Sequence, residues 1–501
     1  MSAALGTGTA TRSSSILTCL AIAGTGGMAD QRKHVRIAGR MVIVGFGSIG
    51  QGVLPLLLRH VDLDPRRITV VTADERGREE AIEYGITFRN QPLTRENYRR
   101  ILEPLLDSGD FLLNVSVDVS SVALMELCAE RGALYLDTCI EPWAGGYTDT
   151  TASASKRSNY ALRESALELR SRLGVSAPTA ILTHGANPGL VSHFVKQALL
   201  DVARDTGLKL PAVPRGRAEW ARLSQRLSIK VIHISERDTQ VANQPKEVGE
   251  FVNTWSIEGF VSEGSQPSEL GWGTHERHFP ADGARHDFGG GAAIYLNRPG
   301  AGTRVRSWTP LEGPFHGFLI THGEAISIPA YFTLEENARV VYRPTVHYAY
   351  HPCDDAVLSI HELAGKNWRL QSRRRLLMEE IIDGIDELGV LLMGHARGAY
   401  WYGSQLSVDE ARRLVPHNNA TSLQVCAAVL AGVIWAVENP ARGVVEPDEM
   451  DFDRVLDITR PYLGTLTGAY SDWTPLLDRG WLFPEEVDES EPWQFKNFRV
   501  A

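Results

Sequence analysis

The clearest pattern of apolar and polar positions begins near residue 41. Residues 41–44 (MVIV) are apolar and lead into the glycine-rich stretch 45–50 (GFGSIG), and residues 51–60 then place apolar side chains on one helical face. This order predicts a strand, a turn and a helix. Further apolar runs have the length of buried strands: 68–72, 110–115 and 133–137. With a helical pattern over 122–131, they predict a doubly wound parallel sheet.

The glycine-rich stretch has the spacing of a dinucleotide-binding turn. Gly45 allows a tight turn, Gly47 lets the backbone approach a pyrophosphate, and Gly50 lets the helix pack closely on the strand. A phosphate would lie at the positive end of the helix that follows. The strand and helix patterns on either side are the context that this motif requires, so the sequence predicts a Rossmann domain.

The choice between NAD and NADP depends on the end of the next strand. An acid is expected there to bind the ribose hydroxyls, but the sequence reads Thr72-Ala-Asp74. Asp74 is close enough to favour NAD, whereas Arg76 and Arg78 could receive the extra phosphate of NADP. Both alternatives stay open, with NAD preferred.

A different pattern begins at about residue 183. A turn cluster at 184–189 (HGANPG) precedes a helix from 190 to about 203. Short β-like runs then predict an α+β domain with an open mixed sheet: 317–321, 325–328, 340–342 and 389–393. We expect the small and apolar helix 421–437 to return to the first domain and cover its sheet. The predicted organisation is an extension that is disordered or spurious, a Rossmann domain, a substrate-binding and dimerisation domain, and a C-terminal helical segment returning to the Rossmann domain: 1–38, 39–185, 186–415 and 416–501.

Charge and composition narrow the function. The chain of 501 residues has 51 Lys and Arg against 61 Asp and Glu, a formal charge of −10, which argues against nucleic acid and permits a cationic partner. Five cysteines without a CxxC pair indicate a reducing cytoplasm. No stretch is expected to reach the roughly 18 apolar residues of a membrane span. The neighbouring His347, His351, Asp354 and Asp355 fit no metal-binding template, so no metal is expected.

Acidic residues are concentrated between positions 231 and 276, where the chain has eight acids and only two bases. Trp255 and Trp272 lie in the same stretch. Carboxylates bind ammonium groups and an indole face attracts a cation, so part of this region could form a polyamine pocket. Its candidates are Glu236, Asp238, Trp255, Glu258 and Glu263. The alternative is a solvated acidic surface with the tryptophan in the core. His322 and Glu324, two apart on a predicted strand, would share one face and could share one proton-transfer or orienting task; the alternative is a structural histidine.

Several longer motifs carry a resemblance to a known family. They are 45–50 (GFGSIG), 139–143 (CIEPW), 185–189 (GANPG), 236–240 (ERDTQ), 252–256 (VNTWS), 321–324 (THGE), 347–352 (HYAYHP), 383–388 (DGIDEL) and 400–405 (YWYGSQ). From about residue 41 to the C-terminus, the chain resembles the bacterial homospermidine synthases, which are related to the saccharopine dehydrogenase group. The residues 72–74 and the N-terminal extension depart from that pattern.

The resemblance implies a redox-neutral transfer in which NAD takes a hydride from putrescine or spermidine and returns it to a new imine, giving homospermidine. It implies that Trp255 stabilises the cationic intermediate. Amine ends would be held or deprotonated by Glu236, Glu263 and Asp386. Substrate would be positioned by Asn187, His322 and Glu324, and Asp118 and Glu141 would lie near the entrance or the cofactor. The cofactor would contact Gly45, Gly47, Ser48, Ile49, Gly50, Thr72, Asp74, Ser116, Asp118, Thr138 and Asn187.

The resemblance also implies a homodimer. Two other functions remain as alternatives. One is a net NAD(P)-dependent oxidoreductase of the saccharopine or carboxynorspermidine dehydrogenase type, which would need arginine forks for its substrate carboxylates. The other is a scaffold that senses NAD without turnover.

Overall fold

The computed structural model describes residues 32–500. The predicted extension of residues 1–38 lies outside the described residues over 1–31. Within its last part, Val35–Arg36 forms a short strand parallel to Val61–Asp62. The prediction of an extension is therefore wrong for these two residues, because strand pairing with a distant segment cannot be read from so short a run.

The first domain contains a seven-stranded parallel sheet. From one edge to the other its strands are Val444–Val445, Ala180–Ile181, Leu134–Asp137, Phe111–Asn114, Met41–Val44, Ile68–Thr72 and Thr87–Asn90. The helices of this region are Ser48–His60, Arg78–Glu83, Tyr98–Leu102, Ser121–Arg131 and Asn159–Leu173. The continuous apolar runs of the sequence are explained by burial, since the residues of Met41–Val44, Phe111–Asn114 and Leu134–Asp137 are all buried. The predicted Rossmann sheet is confirmed.

The second domain contains a ten-stranded mixed sheet, as predicted. Its main path runs through Gly283–Arg285, Ala293–Pro299, Pro267–Gly271, Thr345–His351, Val231–Asp238, Ile385–His395, Gly398–Ser407 and Thr465–Ser471, and the hairpin Arg304–Thr309 with Gly313–Phe318 joins it at Thr345–His351. The central pair, Thr345–His351 and Val231–Asp238, is parallel. This pair carries several side chains of the candidate site.

The remaining elements surround this sheet. The short strand pairs are Val241–Ala242 with Ile381–Asp383, Glu250–Asn253 with Arg373–Leu376, and Leu334–Glu336 with Arg339–Tyr342. The helices are Leu190–Asp205, Arg217–Arg226, Ile257–Ser265, Glu324–Tyr331, Asp354–Gly365, Val408–Leu414 and Phe495–Phe498. The strand predicted at 325–328 is wrong, because these residues belong to the helix Glu324–Tyr331. Since that helix is buried nearly all round, its sequence lacks the period that separates a helix from a strand.

The apolar helix near residue 430 extends over Ala420–Glu438. It packs against Ser48–His60 and against Leu134–Asp137, so it covers the first sheet as predicted. It is also long and apolar enough to cross a membrane, contrary to the expectation that no stretch would be, but 89% of its most apolar window is buried inside the protein. A helix that is apolar on every side and buried in this way is typical of a core.

The predicted C-terminal segment, residues 416–501, contributes to both domains. Val444–Val445 extends the parallel sheet and Phe452–Thr459 forms a helix, but Thr465–Ser471 is a strand that pairs with Gly398–Ser407 in the second domain. A purely helical return to the Rossmann domain is therefore wrong. The chain therefore crosses between the two domains more than once.

Candidate active site

A cleft of about 520 Å³ lies at the carboxyl ends of the parallel strands, where a Rossmann domain binds its ligand. Residues of both domains line it, including Ser256, Glu258 and Arg374 of the second domain. Of the predicted cofactor residues, it contains Gly45, Gly47, Ser48, Ile49, Thr72, Asp74, Ser116 and Asp118. Gly50 lies behind the turn, and Thr138 and Asn187 line the adjoining cavity described below.

The glycines of this cleft have the geometry that a dinucleotide requires. Gly45 has φ of +84°, and a Cβ there would lie 2.8 Å from the Cα of Ser116. A Cβ on Gly47 would meet no atom within 4 Å, which leaves room for a ligand beside the backbone. A Cβ on Gly50 would lie 3.0 Å from the carbonyl oxygen of Gly45, so the helix packs closely on the turn. The residues present therefore fit a pyrophosphate at this helix N-terminus.

The adenosine end of the cleft contains an ion pair. Thr72 ends its strand, and Asp74 accepts hydrogen bonds from Nε and Nη2 of Arg76 at 2.9 and 2.7 Å. Arg78 pairs instead with Glu75 and does not line the cleft. Of the two arginines considered for NADP, only Arg76 is in place, and Asp74 occupies its guanidinium group.

A smaller cavity of about 120 Å³ adjoins this cleft, with which it shares Ile49, Val115, Ser116, Val117 and Ser256 in its lining. It brings together nine of the residues that the sequence indicated: Ile49, Ser116, Thr138, Glu141, Asn187, Glu236, Trp255, Glu263 and His322. No lysine or arginine lines it. Three carboxyl groups thus face one small space at the inner end of the dinucleotide cleft.

Glu236 lies on the central strand Val231–Asp238 and is 2% exposed. Its Oε2 accepts hydrogen bonds from Nδ2 of Asn187 at 2.7 Å and from the Tyr348 hydroxyl. Burial raises the pKa of Glu236 to about 7, although both hydrogen bonds oppose this. The carboxyl group can therefore be neutral or ionised close to neutral pH.

Asp386 is buried behind Glu236 rather than in the cavity wall. It lies opposite Asp238 on the neighbouring strand, and its Oδ2 accepts a hydrogen bond of 2.5 Å from the Thr421 hydroxyl. Burial and then the negative charges of Glu236 and Asp238 raise the pKa of Asp386 well above its ordinary value. The neutral form of this aspartate is therefore favoured, and Asp386 itself does not line the cavity.

Glu263, His322 and Glu324 form one buried chain of charges. His322 Nε2 lies 2.9 Å from Oε2 of Glu263, and its Nδ1 lies 3.2 Å from Oε1 of Glu324. Burial lowers the pKa of His322, but the charges of Glu263 and Glu324 outweigh it and raise that pKa to about 10. The predicted strand is wrong, since His322 precedes a helix that begins at Glu324, and the turn between them brings the side chains together.

Trp255 and Glu141 complete the cavity wall. The indole Nε1 of Trp255 donates a hydrogen bond of 3.0 Å to the hydroxyl of Tyr350. Glu141 is 2% exposed and accepts a hydrogen bond of 3.3 Å from the backbone N–H of Asp118. Burial raises the pKa of Glu141 well above its ordinary value. An aromatic face and a buried carboxyl group whose neutral form is favoured thus lie beside Glu236 and Glu263.

Most of the acidic region between 231 and 276 serves structure instead. Only Glu236 and Glu263 of its eight acids line the cavity. Three others pair with arginines of the segment 373–375: Glu247 with Arg373 at 2.7 Å, Glu250 with Arg375 at 3.1 Å and Glu258 with Arg374 at 3.1 Å. The sequence between 231 and 276 has only two bases, but in the fold this region is not poor in arginine. The strand Arg373–Leu376 lies far along the chain and pairs in parallel with Glu250–Asn253.

The other acids and the second tryptophan are also internal. Asp238 accepts hydrogen bonds from Gln240 and Thr254, and Glu276 from Thr345 and the backbone N–H of Phe495. Glu269 accepts the backbone N–H groups of Asn159 and Tyr160, where a helix begins. Trp272 packs against Phe279 and Phe495 in an apolar cluster.

Sequence reasoning missed four polar residues of the cavity wall: Cys139, Ser256, Tyr348 and Thr421. Tyr348 lies within the motif 347–352 and alternates with Tyr350 along a strand, which was a usable signal. Among residues 32–500, no group of three or more possible metal ligands is found. His347 packs against His233, with ring centroids 4.0 Å apart.

Two family models match the chain. Residues 41–181 match the model described as Saccharopine dehydrogenase NADP binding domain, and residues 185–471 match Saccharopine dehydrogenase C-terminal domain. With the cleft and the cavity, these matches define a dinucleotide-binding enzyme of the saccharopine dehydrogenase group.

Named relatives identify the family more narrowly. Over 477 residues the chain is 54% identical to the homospermidine synthase of Blastochloris viridis, covering 94% of this chain and 100% of that one. Over 471 residues it is 52% identical to the homospermidine synthase of Mesorhizobium japonicum, covering 93% and 97%. The chain belongs to the homospermidine synthase family, whose members are transferases.

Solved structures agree with this assignment. The crystal structure of homospermidine synthase from Legionella pneumophila in complex with NAD superposes with a TM-score of 0.87 at 51% identity, covering 93% of this chain and 98% of that one. Saccharopine dehydrogenase from Saccharomyces cerevisiae has a TM-score of 0.50 at 10% identity, covering 87% and 100%, and shows the fold alone. Saccharopine dehydrogenase, the alternative considered from the sequence, is therefore only a distant relative of this chain.

Proposed function

We propose that this chain joins two molecules of putrescine, or spermidine and putrescine, into homospermidine, with release of ammonia or diaminopropane. The observation that carries this proposal is the small cavity beside the dinucleotide cleft. Three carboxyl groups and one indole line it, and no lysine or arginine does. Such a lining suits a slender cation with an amino group at each end, and it disfavours substrates that carry carboxylates.

The cofactor of this reaction is NAD. When bound, it accepts a hydride from the amine and returns it to the new imine, so that no net oxidation occurs. The turn at Gly45 and Gly47 would hold its pyrophosphate, and Asp74 would face its ribose. The cleft and the cavity share part of their lining, which would keep the reacting carbon of the substrate close to the cofactor.

Proton transfer falls to the chain's own carboxyl groups. An amine can release a hydride only when it is neutral, so the site has to hold an ammonium group and also take its proton. Glu236 has a pKa of about 7 and is suited to both tasks at neutral pH. Burial and the charge of Glu236 raise the pKa of Asp386 behind it, which disfavours a second negative charge beside the substrate.

The opposite wall would hold the second amino group. His322 lies between Glu263 and Glu324, so the three groups together carry one negative charge rather than two. Glu263 is the member of the group that lines the cavity with His322. The face of Trp255 would stabilise the positive charge of the imine, and the buried side chains of the wall would limit the access of the water that hydrolyses it. Asn187 would fix Glu236 through its hydrogen bond.

We further propose that the enzyme is a cytoplasmic homodimer that binds neither nucleic acid nor membranes. Four cysteines of the described residues are unpaired, which supports a reducing compartment. Trp481, Leu482 and Phe483 are more than half exposed, which supports a protein interface nearby. The net charge of −10 disfavours nucleic acid. Light scattering of the purified enzyme would report a mass of two chains, and a mass of one chain would contradict the dimer.

Incubation with putrescine and a catalytic amount of NAD tests the activity. We expect homospermidine in large excess over the NAD supplied, release of ammonia, and no net increase in NADH absorbance. Stoichiometric NADH without homospermidine would contradict the transfer and support a net oxidoreductase. Binding of NAD without any turnover of putrescine or spermidine would support the scaffold.

The Trp255→Ala variant tests the role of the indole. We expect it to lose about 1–3 kcal/mol of transition-state stabilisation, measured as kcat/KM for putrescine. Trp272→Phe is the matched control, since Trp272 packs in an apolar cluster outside the cavity. An equal loss in both variants would contradict a role for Trp255 in catalysis.

A further inference from the structure

Two tyrosines on one central strand are buried side by side next to the cavity. Tyr348 and Tyr350 lie two apart on the strand Thr345–His351, so their side chains project from the same face. Their ring centroids are 5.1 Å apart with 6° between the planes, and their exposed fractions are 2% and 0%. Each buried ring therefore packs directly against the other.

Each of the two hydroxyl groups contacts a different wall of the cavity. The Tyr348 hydroxyl donates to Oε2 of Glu236 and accepts a hydrogen bond of 2.7 Å from Nδ2 of Asn187. It is therefore the centre of the polar contacts around that carboxylate. A donor to a carboxylate stabilises its ionised form, which here opposes the effect of burial on the pKa of Glu236.

The second hydroxyl fixes the indole. Tyr350 accepts the N–H of Trp255 at 3.0 Å and does not itself line the cavity. Phe260 packs against both rings, with centroids 5.2 Å from Trp255 and 5.8 Å from Tyr350. A cation is attracted to the face of an indole rather than to its edge, so the rotation of this ring decides whether it can act.

We propose that Tyr348 and Tyr350 are positioning residues, which hold the Glu236 carboxylate and the Trp255 indole at a fixed spacing through their stacked rings. This role rests on the proposed function: the pair of tyrosines sets the distance between the proton acceptor Glu236 and the cation-binding face of Trp255. A diamine of matching length meets both groups at once, while a shorter or longer diamine meets only one.

The variants Tyr348→Phe and Tyr350→Phe remove one hydroxyl each and keep the stacked rings. For Tyr348→Phe we expect kcat/KM for putrescine at pH 7 to fall about tenfold, the scale of one hydrogen bond to a charged group. The acidic limb of its pH profile moves to higher pH, since the ionised carboxylate has lost a donor. For Tyr350→Phe we expect a lower kcat and an unmoved limb. Tyr342→Phe is the control, since its hydroxyl contacts Ser224 and Ile229, which do not line the cavity.

Double-mutant cycles separate positioning from a general loss of stability. In a Trp255→Phe background, which lacks the indole N–H, Tyr350→Phe has no further effect on kcat. In a Glu236→Gln background, Tyr348→Phe no longer moves the pH profile. Effects of the same size with and without the partner residue would overturn the proposal, as would an unmoved acidic limb in Tyr348→Phe.

A measurement without turnover distinguishes this proposal from the proposed function. Crystal structures of Tyr350→Phe and of the wild type are compared at the Trp255 side chain. We expect the indole of the variant to occupy a second rotamer, and an indole in the wild-type position would overturn the positioning role. If the wild type makes no homospermidine but the indole turns in the variant, the proposed function fails and the positioning role stands.

Discussion

The Nε2 atom of His322 lies 2.9 Å from Oε2 of Glu263 in the wall of the cavity. Both side chains are buried. A cationic imidazole in a site for cationic substrates is at first sight unfavourable. It is explained by the second carboxylate, Glu324, since one imidazolium between two carboxylates still leaves the group negative.

The protonation of His322 can be measured directly. Its pKa of about 10 lies above the ordinary value of 6.5, so pairing stabilises the fold fully below pH 6.5 and this contribution is lost as pH rises through about 10. We expect nuclear magnetic resonance of labelled histidines to show His322 protonated at pH 8. Glu263→Gln is expected to lower the pKa of His322, because Glu263 raises that pKa more than Glu324 does.

The control for this measurement is Glu258→Gln. Glu258 lies on the same helix as Glu263, Ile257–Ser265, but pairs with Arg374. We expect Glu258→Gln to leave the pKa of His322 unchanged. A wild-type His322 that titrates below pH 7 would contradict the arrangement of charges described here.

The acidic limb of the pH profile is expected to belong to Glu236. Its pKa of about 7 means that it becomes neutral as pH falls below 7, and a neutral carboxyl group neither holds an ammonium group nor accepts its proton. We expect kcat/KM for putrescine to decline below pH 7. Glu236→Gln lowers kcat about hundredfold or more and removes this limb.

A buried acid outside the cavity is the control. Burial also raises the pKa of Glu276 to about 7, but its carboxylate contacts Thr345 and the backbone of Phe495. Glu276→Gln keeps the acidic limb. Its loss in this variant would mean that the limb reports on folding.

The preference for NAD over NADP is expected to depend on the pair of Asp74 and Arg76. Asp74 is the acceptor for a ribose hydroxyl and at the same time occupies the guanidinium group that would bind a phosphate. Asp74→Ala therefore lowers KM for NADP relative to NAD by about tenfold. Asp64→Ala breaks a similar pair with Arg66 at 2.8 Å outside the cleft and is the control. An unchanged ratio in Asp74→Ala would contradict this role.

The first domain could be predicted closely, because its information is local. The strands Met41–Val44 and Ile68–Thr72 have the predicted bounds, and the glycine turn follows the first of them directly. Short apolar strands between turns, buried on both faces, leave an unambiguous pattern. The extra strand Val444–Val445 could not be predicted, since two residues carry no period and their partner lies far away in the sequence.

The second domain and the site were harder to predict for one physical reason. Acids that are adjacent in sequence meet partners that are distant in sequence, so local charge does not tell which acids face the cavity. Glu247, Glu250 and Glu258 meet arginines more than one hundred residues further on, as the separations of 126, 125 and 116 residues show. Glu236 lies in the family motif 236–240, whereas Glu263 lies in none of the motifs and was a candidate through the local charge and the overall resemblance.

Glu269 illustrates the structural role of such an acid and allows a final prediction. It accepts the N–H groups of Asn159 and Tyr160 at 2.9 and 3.2 Å, and the Thr321 hydroxyl at 2.6 Å. A carboxylate at the first turn of a helix satisfies donors that the helix leaves unpaired and interacts favourably with its dipole. Glu269→Gln turns an amide N–H₂ group towards these donors, so the free energy of unfolding is expected to fall by about 1–3 kcal/mol.

Chemical denaturation at pH 8 measures this loss, since the pKa of Glu269 is about 7 and its carboxylate is then ionised. Burial raises that pKa above its ordinary value of 4.5, so the stability of the wild type falls as pH rises from about 4.5 to 7. Variant and wild type are therefore compared at the same pH. Glu168→Gln is the control, because Glu168 is exposed on the helix Asn159–Leu173 whose first turn Glu269 contacts. We expect this variant to stay within about 0.5 kcal/mol of wild type. Activity per folded molecule of Glu269→Gln remains near wild type, because Glu269 does not line the cavity. A loss of kcat without a loss of stability would place Glu269 in the active site after all.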